Sequence, residues 1–242
     1  MRRNAYNLTA SVLTASLLGT LAVPSIAHAE LSANIGAVSN YMFRGLTQTE
    51  GASAIQGGVD YEDASGLYAG TWVSTIDFGD EATHELDLYL GFAGEVEGIA
   101  YDVGYIYYAY TDAPENIDFG EIYGEIGLGN FAVGVAYTAH SENQDDVFDE
   151  GDIYYYGSAS LPLANDFAAS FTVGYYDFDV DGKAGFEDAS YVHYSASLAK
   201  DASELGEFSL NVDYADISKS DSPFGSPRAD KPQVWVGWTK SF

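Results

Sequence analysis

The amino-acid sequence predicts an all-β fold: a transmembrane, antiparallel, up-and-down β-barrel of about 12 strands with both chain termini in the periplasm. Apolar residues alternate with polar or small residues along most of the chain, and side chains on a strand point alternately to opposite faces. The alternating segments are roughly 10–14 residues long, close to the ~9–11 residues that a tilted strand needs to cross a bilayer. Short and long connections follow one another between the segments, as turns and external loops do in a transmembrane barrel.

The N-terminal segment, residues 1–29, has the pattern of a cleaved secretory signal peptide. Arg2 and Arg3 supply positive charge, residues 11–26 are uncharged and mostly apolar or small, and Ala27-His28-Ala29 fits the small-x-small cleavage pattern. We expect cleavage after Ala29, which leaves residues 30–242 as a single barrel domain exported to the outer membrane. Because the N-terminal apolar run is shorter than ~20 residues and no later run reaches ~18, no membrane-spanning helix is predicted.

The alternation also assigns the individual strands. In one segment Leu86, Leu88 and Leu90 share a face, and the opposite face carries Glu85 and Asp87. The same analysis along the chain predicts twelve strands, in order near residues 31–44, 52–62, 66–77, 84–96, 98–111, 118–128, 131–140, 152–161, 167–177, 189–199, 206–216 and 232–242.

Two points stay open at this level. In the segment 66–77 two sets of residues compete for the apolar face: Leu67, Ala69 and Val73 against Tyr68, Trp72 and Ile76. A soluble β-sandwich would also alternate, with its apolar face as the buried core. The signal peptide, the strand lengths, the loop alternation, the many tyrosines and the terminal Phe242 together favour the barrel. Lys240 departs from the apolar phase of the last strand, but a lysine near an interface can extend its ammonium group to water.

The chain is strongly acidic, with 37 acidic and 9 basic residues and a formal net charge of −28. Loss of Arg2 and Arg3 with the signal peptide would give 7 − 37 = −30. This charge argues against nucleic acid as a partner, because phosphate binding needs clustered Lys and Arg. The 20 Tyr and 13 Phe argue against disorder, and the absence of Cys from the sequence excludes disulfides and thiolate zinc sites.

Several blocks of the sequence resemble a known family. Residues 39–48, SNYMFRGLTQ, resemble the opening signature of the TorF family of porin-like proteins. Residues 66–74, GLYAGTWVS, and residues 85–91, ELDLYLG, are similar to its second and third blocks, and the closing KSF is similar to its usual end. The resemblance implies an outer-membrane barrel that acts as a porin, and it carries over neither a substrate nor site residues.

The polar face of the strands is expected to point inward, because Arg or Lys facing lipid at the midplane costs ~2–4 kcal/mol. Twelve residues are therefore predicted to line a pore: Asn40, Arg44, Asp60, Glu85, Asp87, Asp102, Glu121, Glu125, Asp152, His193, Asn211 and Asp213. We expect a small, cation-favouring passive diffusion channel for small hydrophilic solutes, embedded in outer-membrane lipids and inserted by the barrel-assembly machinery. The alternative is a closed or plugged structural barrel, in which Arg44 and tyrosines bridge the carboxylates.

The segment 177–188 nearly matches a calcium-binding loop. Asp177, Asp179 and Asp181 precede Gly182 at the sharp turn, and Asp188 occupies the twelfth position. The last position carries Asp instead of the bidentate Glu, and the flanking segments are predicted strands instead of helices. An acidic, solvated hairpin loop is therefore the alternative, and no other cofactor is predicted.

The sequence predicts no catalytic residues and no enzymatic activity. His140 and Ser141 are adjacent at a strand end, and the G-x-S-x-G motif is absent from the sequence. A lipid hydrolase with its site on the barrel wall is therefore a weak alternative.

Overall fold

The computed structural model describes residues 30–79, 81–143, 147–183, 185–186, 189–217 and 231–242. The predicted signal peptide, residues 1–29, lies outside the described residues. No helix among the described residues is long and apolar enough to cross a membrane.

The described residues form fourteen strands and one short 3₁₀ helix, Ser203–Leu205. In chain order the strands are β1 (Glu30–Val38), β2 (Met42–Phe43), β3 (Leu46–Thr47), β4 (Ala54–Glu62), β5 (Leu67–Thr75), β6 (His84–Val96), β7 (Ile99–Ala109), β8 (Phe119–Leu128), β9 (Phe131–Ser141), β10 (Ile153–Pro162), β11 (Phe167–Asp177), β12 (Tyr191–Asp201), β13 (Glu207–Asp216) and β14 (Gln233–Ser241).

Twelve of these strands close into an antiparallel barrel, which confirms the predicted fold. Each of β4 to β14 pairs with its neighbour in the chain, and β1 closes the ring by pairing with β4 on one side and β14 on the other. Strands β2 and β3 form a separate two-stranded hairpin. A closed barrel leaves no unpaired strand edge, so every strand of the ring has its backbone groups paired on both sides.

Both described ends of the chain lie at one end of the barrel. Phe242 N donates to Ala33 O at 2.8 Å, and Ala33 N donates to Phe242 O at 3.3 Å. This end, which we call the turn end, also holds the short connections at 63–66, 97–98, 129–130, 163–166 and 202–206. The opposite end, the loop end, holds the longer connections at 39–53, 76–83, 110–118, 142–152, 178–190 and 217–232. The alternation of short and long connections is therefore as predicted.

The outer surface of the barrel is apolar. Leu88 and Leu90 on β6 are 50% and 61% exposed, whereas Glu85 and Asp87 on the same strand are buried. On β5 the structure resolves the ambiguous segment, because Leu67 and Val73 face outward and Trp72 points inward. Lys240 extends to the turn end, where its Nζ donates to Glu204 O at 2.7 Å, so its charge leaves the apolar belt.

The predicted first strand, 31–44, is too long. Strand β1 ends at Val38, and the chain then turns into the barrel interior, where Tyr41 and Phe43 are buried. Residues 42–47 pair with themselves as the β2–β3 hairpin, with Met42 opposite Thr47 and Phe43 opposite Leu46. Local alternation cannot distinguish this inner hairpin (residues 42–47) from a continuation of the strand, because both have the same period.

Candidate functional site: the barrel interior

Eleven of the twelve predicted pore-lining residues lie inside the barrel, and Asp152 lies in the connection at its loop end. Ten of the twelve are buried, and Asp60 and Asp102 are half-buried. Two details differ from prediction. Asn40 and Arg44 reach the interior from the inward-turning loop and not from the barrel wall, and Asp152 precedes β10 instead of beginning it. All twelve side chains are therefore buried or half-buried, and their role as pore-lining residues stays a prediction. The alternation did not indicate that Asn40 and Arg44 lie on an inward-turning loop, with Arg44 at the tip of the inner hairpin.

The tip of the inner hairpin is a two-residue turn made by Arg44 and Gly45. Their φ angles are 47° and 85°, and left-handed conformations at both central positions are typical of a type I′ turn. A Cβ atom at Gly45 would lie 2.7 Å from His193 Cβ on β12, so the tip rests directly on the barrel wall at β12. Glycine is therefore needed at position 45 both for its backbone conformation and for the space that it leaves.

An ion pair anchors the hairpin tip to the barrel wall. Arg44 Nη1 and Nη2 donate to the two carboxylate oxygens of Glu121 at 2.8 Å and 2.7 Å, a bidentate arrangement. The two side chains are 3% and 1% exposed. The register of β8 and β9 shifts between Gly120 and Glu121, and such irregularities re-aim side chains near functional sites.

Aromatic side chains surround the Arg44 guanidinium. Its Cζ atom lies 4.7 Å, 4.1 Å and 4.8 Å from the ring centroids of Phe43, Tyr154 and Tyr176. Tyr191 Oη donates to Arg44 O at 3.0 Å, which holds the turn backbone. These tyrosines were not among the predicted site residues. Their signal in the sequence is that each alternates in phase with the inward-facing residues of its strand.

Loop residues pack over the hairpin at the loop end. Phe148, in the connection 142–152, stacks on Phe119 with a centroid distance of 5.5 Å and meets Phe178 edge-on at 5.6 Å. Phe178 in turn stacks on Tyr176 at 4.2 Å. Together with the inner hairpin, this aromatic cluster buries the Arg44–Glu121 pair at the loop end.

A second group of side chains lies on β6 and its neighbours. Tyr41 Oη donates to Glu85 Oε1 at 2.7 Å, and the Tyr41 ring meets Trp72 edge-on at 5.5 Å. Asp87 lies opposite Trp72 on β5 and opposite Tyr108 on β7. Asp87 Oδ1 is buried and has no hydrogen-bond partner among the described residues.

The turn-end half of the interior pairs each of three carboxylates with a tyrosine. Tyr68 Oη donates to Asp102 Oδ1 at 2.6 Å, and Tyr156 Oη donates to Glu125 Oε2 at 2.5 Å. Tyr89 likewise donates to Asp60 Oδ1. These side chains are mostly half-buried, in contrast to those at the loop end.

Inward-facing glycines let these tyrosine rings lie along the wall. A Cβ atom at Gly91 would lie 2.2 Å from the Tyr68 hydroxyl, and one at Gly134 would lie 2.3 Å from the Tyr156 ring. Any larger residue would push the ring toward the barrel axis. The glycines therefore leave room in the turn-end half.

The β12–β14 wall carries the remaining predicted residues. Asp213 accepts hydrogen bonds from Ser195 Oγ at 2.5 Å and from Trp235 Nε1 at 2.6 Å. His193 Nε2 lies 2.8 Å from Tyr154 Oη, so it supports the ring that packs against Arg44. Asn211 Nδ2 donates to Ser209 Oγ at 2.8 Å.

The predicted calcium loop is described in part. Asp179 Oδ2 pairs with Lys183 Nζ at 2.9 Å, and Asp181 Oδ1 accepts from Ala189 N at 2.8 Å. Asp188 lies outside the described residues, and Asp177 ends β11. Across the described part of the chain, no three His, Cys, Asp or Glu side chains are grouped so as to hold a metal ion. The calcium site stays a prediction.

Asp152 lies beside this loop, just outside the strands. Its Oδ1 accepts from Asp179 N at 2.8 Å, while Oδ2 is buried without a hydrogen-bond partner in the described structure. Burial raises the pKa of the Asp152 carboxyl from its ordinary 3.8 to about 7. We therefore expect the charge of the Asp152 carboxyl to change near neutral pH.

The adjacent Ser–His pair does not have the geometry of a nucleophile and its base. Ser141 Oγ donates to Asn143 O at 3.3 Å, and His140 Nε2 lies 3.3 Å from Glu142 Oε1. Nucleophilic catalysis needs a hydrogen bond from the serine hydroxyl to the histidine. The observed contacts therefore give no support to the hydrolase alternative.

A closed 12-stranded barrel with an apolar outside and a carboxylate-rich inside is a porin-like β-barrel. The chain belongs to the Gcw_chp family, described as bacterial proteins of unknown function, whose family model matches residues 23–242. This family description names no activity, so the porin function implied by the TorF resemblance stays a prediction.

Solved structures of small porins share the fold. The KdgM porin matches with a TM-score of 0.56 at 9% identity, covering 87% of this chain and 99% of its own. A KdgM porin in complex with disordered oligogalacturonate gives a TM-score of 0.55 at 8% identity, covering 88% and 98%. The NanC porin gives 0.54 at 11% identity, covering 87% and 98%. No curated protein sequence matches this chain significantly.

Proposed function

We propose that the chain forms an outer-membrane porin, a passive diffusion channel for small hydrophilic solutes that favours cations. The observation that carries this proposal is the contrast between the two faces of one closed barrel. Exposed Leu, Val, Ile and Phe side chains cover the outside, as contact with lipid requires. Carboxylates and tyrosine hydroxyls lie on the inside, which is the polar lining expected of a water-filled pore.

The charge of the interior supports a preference for cations. Seven of the predicted pore-lining residues are carboxylates on the barrel strands that face inward, namely Asp60, Glu85, Asp87, Asp102, Glu121, Glu125 and Asp213. Among the described residues, Arg44 is the one Arg or Lys side chain buried in the interior. A low-dielectric wall focuses the field of these charges into the lumen, and rings of Asp and Glu favour cations in pores.

The solute class follows from the same charges. Oligogalacturonate, which accompanies one KdgM structure, is an oligomer of a sugar acid. Its presence in a barrel of this fold supports the passage of small solutes in general. Because the interior of this chain is acidic, we propose cationic and neutral solutes and not acidic sugars.

One observation favours a second candidate, a plugged structural barrel. The inner hairpin and the aromatic cluster bury Arg44 and Glu121 almost completely, so the loop-end half of the interior is closed. In a porin the inner hairpin would instead be the constriction, and the pathway would open when the hairpin moves.

Conductance in planar bilayers separates the two candidates. Refolded mature protein, checked for heat-modifiable migration on gels, should insert and conduct in discrete steps if the chain is a porin. Folded, inserted protein without conductance would contradict the porin and support the plugged barrel. Recovery of the protein from cells as a soluble periplasmic species would contradict both.

A further inference from the structure

We propose that Glu85 and Asp87, with the rings of Tyr41, Trp72 and Tyr108, form a binding site for a small organic cation of the alkylguanidinium or alkylammonium class. The proposal rests on the proposed channel, because the ligand reaches the site through the barrel interior. It goes further by assigning a ligand class to a particular group of side chains on β6 and its neighbours.

The chain itself shows how its interior holds a cation. The Arg44 guanidinium lies against the Glu121 carboxylate, and three aromatic rings surround it at 4.1–4.8 Å. A carboxylate supplies charge and hydrogen-bond acceptors, while ring faces attract the cation through their quadrupoles. We compare the proposed site at Glu85 and Asp87 with this arrangement.

The same kinds of group, a carboxylate and aromatic rings, come together at Asp87, but no basic side chain from the described part of the chain lies among them. Trp72 and Tyr108 flank Asp87 on the two neighbouring strands, and Tyr41 packs edge-on against Trp72. Tyr108 Oη also donates to Glu121 at 3.2 Å, which ties the two groups together. Within the described ranges, no Lys, Arg or His forms an ion pair with Glu85 or Asp87.

Asp87 is the residue whose environment indicates that a ligand binds here. It is 5% exposed, and its Oδ1 atom has no hydrogen-bond partner among the described residues. Glu85, two residues away on the same face, is 2% exposed and accepts a hydrogen bond from neutral Tyr41. A buried carboxylate without a partner is costly, and a bound cation would offset that cost.

The surroundings favour an organic cation over a metal ion. A hard metal ion needs several oxygen ligands, and across the described residues no suitable group of three acidic or histidine side chains exists. Two carboxylates between aromatic rings suit a cation that combines N–H donors with an apolar surface. In this proposal the ligand approaches from the turn-end half, where Tyr89 and Tyr123 are only half-buried.

Calorimetric titration of the refolded mature protein with methylguanidinium chloride tests this site. The ionic strength is held constant with sodium chloride, and methylurea serves as the uncharged ligand of the same shape. We expect saturable heat with methylguanidinium and none with methylurea. Asp87→Asn should weaken binding about tenfold or more, and Glu85→Gln should weaken it as well. Asp102→Asn removes an inner carboxylate that already accepts from Tyr68, and it should leave the affinity within about twofold of wild type.

The outcomes separate this site from the channel. Equal weakening by Asp87→Asn and Asp102→Asn would overturn the site, because it would show general attraction by the acidic interior. Unchanged binding in correctly folded Asp87→Asn and Glu85→Gln would also overturn it. A channel that conducts but gives no saturable heat would overturn the site and leave the proposed function standing. Saturable, Asp87-dependent binding in a protein that conducts nothing would support the site and contradict the channel.

Discussion

Replacing Glu121 with Gln should release the inner hairpin from the barrel wall. The substitution preserves the size of the side chain but removes the charge that pairs with Arg44 through two hydrogen bonds of 2.8 Å and 2.7 Å. The guanidinium then stays buried among Phe43, Tyr154 and Tyr176 without a counter-charge. Movement of Arg44 toward water would remove the cost of burying this unpaired charge, and the inner hairpin would move with Arg44.

The burial of the pair sets the size of the effect. Arg44 and Glu121 are 3% and 1% exposed, so solvent screens their attraction little. Removing one partner from a buried pair costs ~3–5 kcal/mol, and each 1.4 kcal/mol is about a tenfold change in population. The displaced form of the hairpin should therefore gain roughly two to three and a half orders of magnitude in population relative to wild type.

Single-channel recording in planar bilayers measures this change. We expect Glu121→Gln to show higher conductance or a larger open fraction than wild type. The double variant Arg44→Met with Glu121→Gln removes both charges of the pair and leaves no unpaired guanidinium, so it should lie closer to wild type than the single variant does. Asp102→Asn, far from the hairpin, controls for loss of a carboxylate. Identical records for wild type and Glu121→Gln would refute the role of the ion pair as an anchor.

Three further results are expected. Gly45→Ala places a methyl group 2.7 Å from His193 Cβ at a φ of 85°, so it should also raise conductance, whereas Gly129→Ala, at a φ of 60° with nothing within 4 Å, should not. Burial raises the pKa of Asp152 from its ordinary value of 3.8 to about 7 in the folded protein. The protonated carboxyl therefore contributes to stability at low pH, and this contribution is lost as the pH rises from about 3.8 through about 7. The Tm should therefore be lower at pH 8 than at pH 5, by on the order of a few degrees, and Asp152→Asn should remove that part of the difference. If the loop 177–188 binds calcium, calorimetric heat should disappear in Asp179→Ala and Asp181→Ala, and unchanged heat would contradict the site.

The barrel could be predicted from sequence because side chains along each strand face the lipid and the interior in turn, with a period of two residues. Leu88 and Leu90 alternate with Glu85 and Asp87, and this pattern assigns a lipid face and an inner face without knowledge of neighbouring strands. On β5 the rule did not decide, since both faces carry large apolar residues. There Trp72 points inward because the closed interior also contains an aromatic group around Tyr41.

The inner hairpin could not be predicted in this way. Tyr41 and Phe43 continue the alternation of β1, so the period alone extends the strand to residue 44. The signal that was available is Arg44-Gly45, since Gly is favoured where a tight hairpin needs a positive φ. The contacts of Arg44 with Glu121 span 77 positions in sequence, and they depend on barrel closure, which no local pattern contains.

The tyrosines that donate hydrogen bonds to the inner carboxylates also could not be predicted from the sequence. Tyr89 shares the inner face with Glu85 and Asp87, which is a signal that it points inward. Its hydroxyl nevertheless meets Asp60, two strands away, and that pairing follows from strand register and barrel tilt. The sequence therefore predicts which residues are inside but not which of them touch.

The reversal potential of the wild-type protein in a salt gradient across a planar bilayer is the sharpest test of cation selectivity. A carboxylate-lined channel should give a potential of the sign that indicates cation preference, and this preference should weaken at high salt because the Debye length falls to ~3 Å at 1 M. Neutralising Glu85, Asp87, Glu121 and Glu125 together with Gln and Asn should reduce the preference. An anion-selective potential would contradict the charge argument, and folded protein without conductance would contradict the channel itself.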